Sequence, residues 1–264
     1  MSFETRTVSV RDGMFNVEVR TAGQGEPFVW LHGGTGGPPG MEGHLLDLAA
    51  HYKVYRVTHP GWGDSTGLEN IDDVVDMALF YLDLFDALGL TSVYLAGTSL
   101  GGMFAAEIAA LGPQYVRKLV LAAAAGLWVD GVVPVDTFTI SPDEMNRLAF
   151  YDSTAAAAMQ PPLDPNDREA MARAMINRTK AGQATGKFIW PLWDKGLKKR
   201  IHRIKAPTLL VWGESDGLVP LVYGEEFRRR IPGSRLAVIP KAGHVPQVEQ
   251  QAEFVRIVRE FLTS

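Results

Sequence analysis

The chain contains no cysteine. That excludes disulfides, thiolate metal sites and a cysteine nucleophile, and says nothing firm about compartment. No apolar run approaches the ~20 residues a membrane span needs. Met1 to Val10 alternates polar and apolar residues like a strand, without the basic and apolar regions of a secretory leader. The expectation is a cytoplasmic protein with no membrane span. Excess charge is scarce too: 26 Lys and Arg stand against 30 Asp and Glu, a net charge of −4. Nothing in that balance would draw nucleic acid. The basic residues clustered between Lys195 and Lys205 read as a solvated helix face leading into a strand. The six histidines are dispersed and none has metal-ligand spacing, so neither a metal nor an organic cofactor is implied. The expected partner is a small-molecule substrate; self-association is left open.

What is present is a regular alternation of elements over 264 residues, enough for one large α/β domain with an insertion. Strand-like runs lie at 4–10, 14–21, 27–31, 53–58, 92–96, 117–123, 207–212 and 235–239, with helical periodicity between most of the later ones. Ile71, Val74, Val75, Ala78, Leu79, Leu82, Phe85 and Leu88 form an apolar stripe, and Gly89 follows as a C-terminal cap. Val248, Ala252, Val255, Val258 and Leu262 mark the last helix. The pattern predicts a mostly parallel eight-stranded sheet with helices on both faces. The alternation breaks once, from about Gly126 to Arg203. Helix starts appear there instead, at Ser141-Pro142-Asp143-Glu144 and Asp164-Pro165-Asn166-Asp167, and 155–158 is alanine-rich. A structureless loop of that length would be improbable. The expected organisation is a core of 1–126 and 204–264 with a helical cap insertion at 127–203.

Three loops carry chemistry. Gly97-Thr98-Ser99-Leu100-Gly101 follows the apolar run Val93 to Ala96. A sharp strand-to-helix turn there would expose the serine hydroxyl in a strained conformation, and side chains at the two glycine positions would collide with backbone. Ser99 then needs a base. His244, in the loop after the last strand, belongs at the same carboxyl edge of a parallel sheet, where ligand sites form. His44, His51 and His202 read as surface or packing residues, and His59, before Pro60, as a residue lining the pocket. An orienting acid lies in Trp212-Gly213-Glu214-Ser215-Asp216; Asp216 is favoured over Glu214 because it lies further into the loop. The third loop, from His32-Gly33-Gly34-Thr35 to Gly40, follows Phe28 to Leu31. Its glycines let backbone N–H groups face a developing negative charge. Gly34 is the expected first donor, ahead of Thr35, and the amide of Leu100 the second. A phosphate loop is disfavoured because no Lys-Ser/Thr pair follows.

These loops, with Pro60-Gly61-Trp62-Gly63-Asp64-Ser65, stand in an order and spacing that resembles the α/β-hydrolase fold over about residues 4–262. The resemblance implies a catalytic triad in the order Ser99, Asp216, His244, a structural role for His32, and acyl transfer through Ser99. One departure is Thr58-His59, where the family often has an acid. The first expectation is hydrolysis of a carboxylic ester. The second is carbon–carbon bond hydrolysis as in the meta-cleavage-product hydrolases, against which stand Thr98 and Val245, where those enzymes usually carry Asn and Trp. The third is a non-catalytic ligand-binding member of the fold. A mostly apolar substrate pocket is expected from Thr35, Met103, Trp128, Phe138, Trp190, Trp193, Leu218 and Val245.

Overall fold

Alternation along each central strand divides the apolar residues between two faces, and this decides the architecture. The strands are β1 (Glu4–Val10), β2 (Phe15–Ala22), β3 (Pro27–Leu31), β4 (Lys53–Val57), β5 (Val93–Thr98), β6 (Val116–Ala122), β7 (Thr208–Gly213) and β8 (Arg235–Ile239). A computed structural model describes residues 2–37, 41–154, 164, 166–191 and 194–264. In it the strands form one sheet in the order β1-β2-β4-β3-β5-β6-β7-β8. Only β2 runs against its neighbours, pairing antiparallel with β1 and β4; the pairs from β4 to β8 are parallel.

Val29, Leu31, Leu95, Leu119, Leu121, Leu210 and Trp212 point to one core. There they meet α2 (Val74–Ala87), α3 (Leu100–Leu111) and α6 (Leu221–Arg230). Phe28, Trp30, Ala96, Val120, Leu209 and Val211 point to the other. That face is covered by α1 (Gly43–Ala49) and α8 (Gln251–Thr263), with α7 (Pro246–Glu249) just before it. Near-continuous apolar strands are what burial on both faces requires.

The chain leaves β3 to form β4 on one side and crosses back to form β5 on the other. The crevice between the carboxyl ends of β3 and β5 is therefore the topological switch point of the sheet. The turns after these two strands hold Gly33-Gly34 and Ser99.

Between β6 and β7 the described residues contain no strand, only a single bridge between Val129 and Val132. Helices α4 (Pro142–Ala149) and α5 (Arg168–Ile189) lie in this insertion. Ser141 caps α4 by accepting from Glu144 N at 3.1 Å, and Asp167 caps α5 by accepting from Ala170 N at 2.9 Å. The alanine-rich stretch 155–158 lies outside the described residues.

Three sequence expectations need correction. The buried residues of α2 are Val74, Met77, Ala78, Phe80, Tyr81, Leu84 and Phe85, while Leu79 is exposed. The expected stripe left out Met77, Phe80, Tyr81 and Leu84, which turn the buried side of the helix away from Leu79. The last helix is broken at Gln250, leaving Val248 in the short α7. The basic run is only partly solvated. Arg200 reaches the fully buried Glu107 of α3 through two 2.7 Å bonds, and Arg203 donates to the carbonyl of Ala110. The end of the insertion is thus pinned to the core.

Candidate active site

Ser99 sits where β5 turns into α3, with φ 53° and ψ −118°. This is a conformation a non-glycine residue occupies at a cost of about 1–3 kcal/mol, and only when its surroundings dictate it. Those surroundings are close. Ser99 N donates to Ala122 O at 2.9 Å, and Ser99 O accepts from Met103 N and Ala125 N at 3.1 and 3.0 Å. A Cβ on Gly97 would lie 2.2 Å from Gly101 O, and one on Gly101 would lie 2.3 Å from Leu31 O. Both positions therefore exclude any side chain. Ser99 itself remains partly accessible.

The loops after β7 and β8 bring Asp216 and His244 together. His244 Nδ1 lies 3.0 and 3.1 Å from the two carboxylate oxygens of Asp216. Asp216 Oδ1 also accepts from the backbone N–H groups of Leu218 and Val219 at 3.0 and 2.9 Å. The carboxylate is held from both sides and is buried, as is His244. An ionised acceptor opposite Nδ1 keeps the ring proton there and leaves Nε2 as the free lone pair. Glu214, the competing acid, is exposed.

The turn after β3 brings Gly33 beside the serine: a Cβ on Gly33 would lie 3.4 Å from Ser99 Cβ. Its carbonyls are held individually. Gly33 O accepts from Gly36 N at 3.0 Å and lies 2.8 Å from His32 Nδ1. Gly34 O accepts from Trp62 Nε1 at 2.8 Å and from Thr185 Oγ1 at 2.9 Å. Arg56, buried in β4, donates to the carbonyls of Gly36 and Gly37 while its Nε pairs with Glu42 at 3.0 Å. Leu100 N is the first amide of α3. It belongs to the group of helix-start N–H donors that have no partner four residues back.

His59 is the clearest departure from expectation. It has no exposed surface. Its ring lies between His32, Trp62, Tyr81 and Phe104. Burial pushes its pKa down to about 3, and pushes that of His32 well below the usual range, helped by His59 and Arg56 nearby. Both rings are neutral near pH 7.

The expected pocket residues separate. Met103 and Leu218 are buried in the core beneath the edge, Val245 is partly buried beside the base, and Thr35 is exposed. Trp128, Phe138 and Trp190 line a cleft of about 150 Å³ on the insertion. Ser99, Asp216 and His244 do not contribute to it. Phe138 and Trp190 are about half exposed, and Trp193 lies outside the described residues.

Several participants gave no signal in sequence. Thr185, near the end of α5, reaches the glycine turn from 151 positions away. Leu148 O accepts from Gly217 N at 3.0 Å and Ala149 O from His244 N at 2.7 Å, joining the end of α4 to the acid and base loops. Glu249 accepts from Gly243 N at 2.6 Å with one oxygen and from Tyr151 and Asp152 N–H groups with the other. A glutamate five residues past His244 was a visible clue; nothing local marked the others.

A strained serine between two glycine positions that exclude side chains, and a histidine–aspartate pair in the loops after β7 and β8, stand at the carboxyl edge of an open α/β sheet. A family model of the alpha/beta hydrolase fold matches residues 26–251. The chain belongs to that family, and its class is that of a hydrolase. It is 30% identical over 281 residues to a 2-hydroxy-6-oxononadienedioate/2-hydroxy-6-oxononatrienedioate hydrolase of Cupriavidus pinatubonensis, covering 98% of this chain and 95% of that protein. It is 29% identical over 257 residues to a pimeloyl-acyl-carrier protein methyl ester esterase of Photobacterium profundum, covering 92% and 97%. Among solved structures, a bacterial membrane phospholipase A superposes with a TM-score of 0.80 at 24% identity, covering 99% of this chain and 86% of that one. A meta-cleavage product hydrolase from Pseudomonas fluorescens superposes with a TM-score of 0.77 at 22% identity, covering 98% and 97%. These structural likenesses establish the fold. Among the described residues, no helix is long and apolar enough to cross a membrane, and no cluster of three or more potential ligands could hold a metal ion.

Proposed function

We propose that this protein hydrolyses a carboxylic ester through an acyl-Ser99 intermediate. The observation that carries the proposal is the Asp216–His244 pair at 3.0 Å, on the same sheet edge as a serine held at φ 53°. In this reading His244 Nε2 takes the hydroxyl proton as Ser99 Oγ attacks the carbonyl carbon. Asp216 stabilises the resulting imidazolium without itself taking the proton. The tetrahedral oxyanion accepts from the amides of Gly34 and Leu100, each worth on the order of 10²–10³ in kcat. Its collapse returns the proton from His244 to the leaving alkoxide. Water then repeats the sequence on the acyl-enzyme.

The insertion serves as a cap: its backbone ties to Gly217 and His244, and the Thr185 hydroxyl on Gly34 O, support a fixed roof over the edge. The test is turnover of p-nitrophenyl esters of graded acyl length. Wild-type activity in a Ser99→Ala variant would sink the proposal.

Cleavage of a carbon–carbon bond next to a ketone is the second reading, favoured by similarity to the dienedioate hydrolase. Thr98 and Val245 stand against it. Rapid bleaching of a yellow vinylogous dienoate, with slow ester turnover, would reverse the order of the two readings.

A further inference from the structure

A peptide N–H cannot be aimed without aiming the carbonyl that shares its plane. In a trans peptide, Gly33 C=O and Gly34 N–H point in opposite directions. Whatever grips Gly33 O therefore sets the direction of the Gly34 amide. Two groups grip it: Gly36 N–H within the turn, at 3.0 Å, and the ring of His32, at 2.8 Å, whose own orientation is set from outside the turn.

The proton positions follow from the partners. His59 N–H can only donate, so His32 Nε2, 3.1 Å away, accepts from it. The neutral His32 ring then carries its proton on Nδ1 and donates to Gly33 O at 2.8 Å. His59 Nε2 lies 2.9 Å from His32 O, which can only accept, so Nε2 carries the second ring's proton. His59 Nδ1 is left as an acceptor, and the Tyr81 hydroxyl is bonded to it. The chain of donors runs from Tyr81 to the His59 ring, on to the His32 carbonyl, and in parallel from His59 N–H through the His32 ring to Gly33. The two imidazoles are in contact, with centroids 3.7 Å apart and planes tilted by 39°. Neither His59 nor Tyr81 has exposed surface. Water could not replace a missing donor there without a cavity to hold it.

We infer that His59 and Tyr81 are positioning residues for the oxyanion turn, acting through His32 and the Gly33–Gly34 peptide on the amide that receives the developing charge. The inference rests on the proposed role of Gly34 N–H as an oxyanion donor. It concerns two residues that touch neither substrate nor Ser99. Core packing alone would require a ring of the right size at position 81; positioning requires the hydroxyl.

The experiment uses the full chain and the rate at which a fluorophosphonate labels Ser99, a reaction that draws on the same oxyanion donors whichever carbonyl substrate is natural. Tyr81→Phe keeps the ring and deletes the donor. It should slow labelling by about tenfold, a fraction of the 10²–10³ carried by a whole donor. Ester kcat should fall by a similar factor with KM within about twofold, because the lost interaction forms only in the transition state. His59→Leu should lose about 10²-fold, and His59→Gln, which still offers an N–H to His32 O, should recover most of that. Labelling of Tyr81→Phe at the wild-type rate, or a loss confined to KM, would overturn the inference.

Histidine 15N spectra of the wild-type protein give a test independent of any variant. They should show the His59 proton on Nε2 and the His32 proton on Nδ1; the opposite tautomer at either ring also overturns the inference. Ser99→Ala separates the two levels. If it is not labelled while Tyr81→Phe reacts normally, positioning fails alone. If it is labelled as fast as wild type, the reading of Ser99 fails and takes this inference with it.

Discussion

The carboxyl edge of the sheet and the helical insertion beside it are held in different ways. At the edge, contacts are short-range and main-chain: Gly97 against Gly101, Gly101 against Leu31, Ser99 N on Ala122 O. Nothing there can move without moving a strand. The insertion is held at a few separate points instead: Arg200 on Glu107, Leu148 on Gly217, Ala149 on His244, Thr185 on Gly34. One side of α5 is exposed, with Met175 and Ile176 largely in solvent, while Ala181, Ala184 and Phe188 enter the core, where Phe188 meets Trp62 and Phe104. The edge is rigid by construction of the sheet, whereas the insertion is positioned by individual polar bonds and by this apolar side of α5. Chemistry that needs sub-ångström placement belongs to the first, and shape of the binding space to the second.

The largest expected effects test the edge. Ser99→Ala should lower ester turnover by on the order of 10⁴-fold or more, measured as kcat. Asp216→Asn should cost on the order of 10⁴-fold, because an amide can present its NH₂ to Nδ1 and favour the wrong tautomer. If either variant lost less than tenfold, the edge would be scaffold and the chemistry would have to be sought under the insertion.

A second test asks how far the edge depends on neutral buried rings. His59 and His44 are held down to about pH 3 by burial, and His32 is lowered as well. Unfolded, each would titrate near 6.5. Below that value the unfolded chain binds protons that the folded one does not, so stability falls as pH falls. Above it there is no dependence from these groups. The expected slope is about 1.4 kcal/mol per pH unit for each imidazole between pH 6.5 and 4, read from urea unfolding. His44 packs against Trp30 and Phe254 on the opposite face of the sheet from His59. His44→Leu should reduce the slope by about one proton while leaving kcat alone; an unchanged slope would show that His44 does not titrate as described.

A third test concerns the insertion's return to the core. Arg200→Met leaves the Glu107 carboxylate fully buried and unpaired, at a cost of about 3–5 kcal/mol in unfolding free energy. The fully folded fraction at low temperature should keep its kcat, since no site residue is touched. A variant of unchanged stability but altered KM would mean that this tie shapes the binding space rather than anchoring the chain.

The same contrast explains what sequence could reveal. All eight strands and the three site loops were legible because their causes are local. A glycine two residues either side of Ser99 is demanded by backbone 2.2–2.3 Å away. Asp216 was separable from Glu214 by its depth in the loop alone. His59 was misread as pocket lining because adjacency to Pro60 describes the chain, not the ring, which turns inward between His32 and Tyr81. Tyr81 was not counted in the apolar stripe on α2, although it is fully buried there. Phe138 and Trp190 show the limit most plainly. Large aromatics in an insertion fit a pocket equally well whichever way their segment is turned, and periodicity carries no information about the direction a separate layer faces.

The smallest expected effect decides whether the two regions are truly coupled. Thr185 donates to Gly34 O from the insertion, while Trp62 donates to the same oxygen from the core. Thr185→Val preserves shape and removes one of the two donors. Because Trp62 remains, Gly34 O is not left unsatisfied, and a cost of about 1 kcal/mol, or fivefold in kcat/KM, is expected. The loss should fall on kcat if Thr185 helps hold the oxyanion turn, and on KM if it only keeps the insertion near the substrate. Thr185→Ser, which keeps the hydroxyl, should match wild type. Should Thr185→Val equal wild type in kcat, KM and stability, the insertion would merely overlie the edge. The turn would then owe its geometry to the core alone, through Trp62 and the His32 ring.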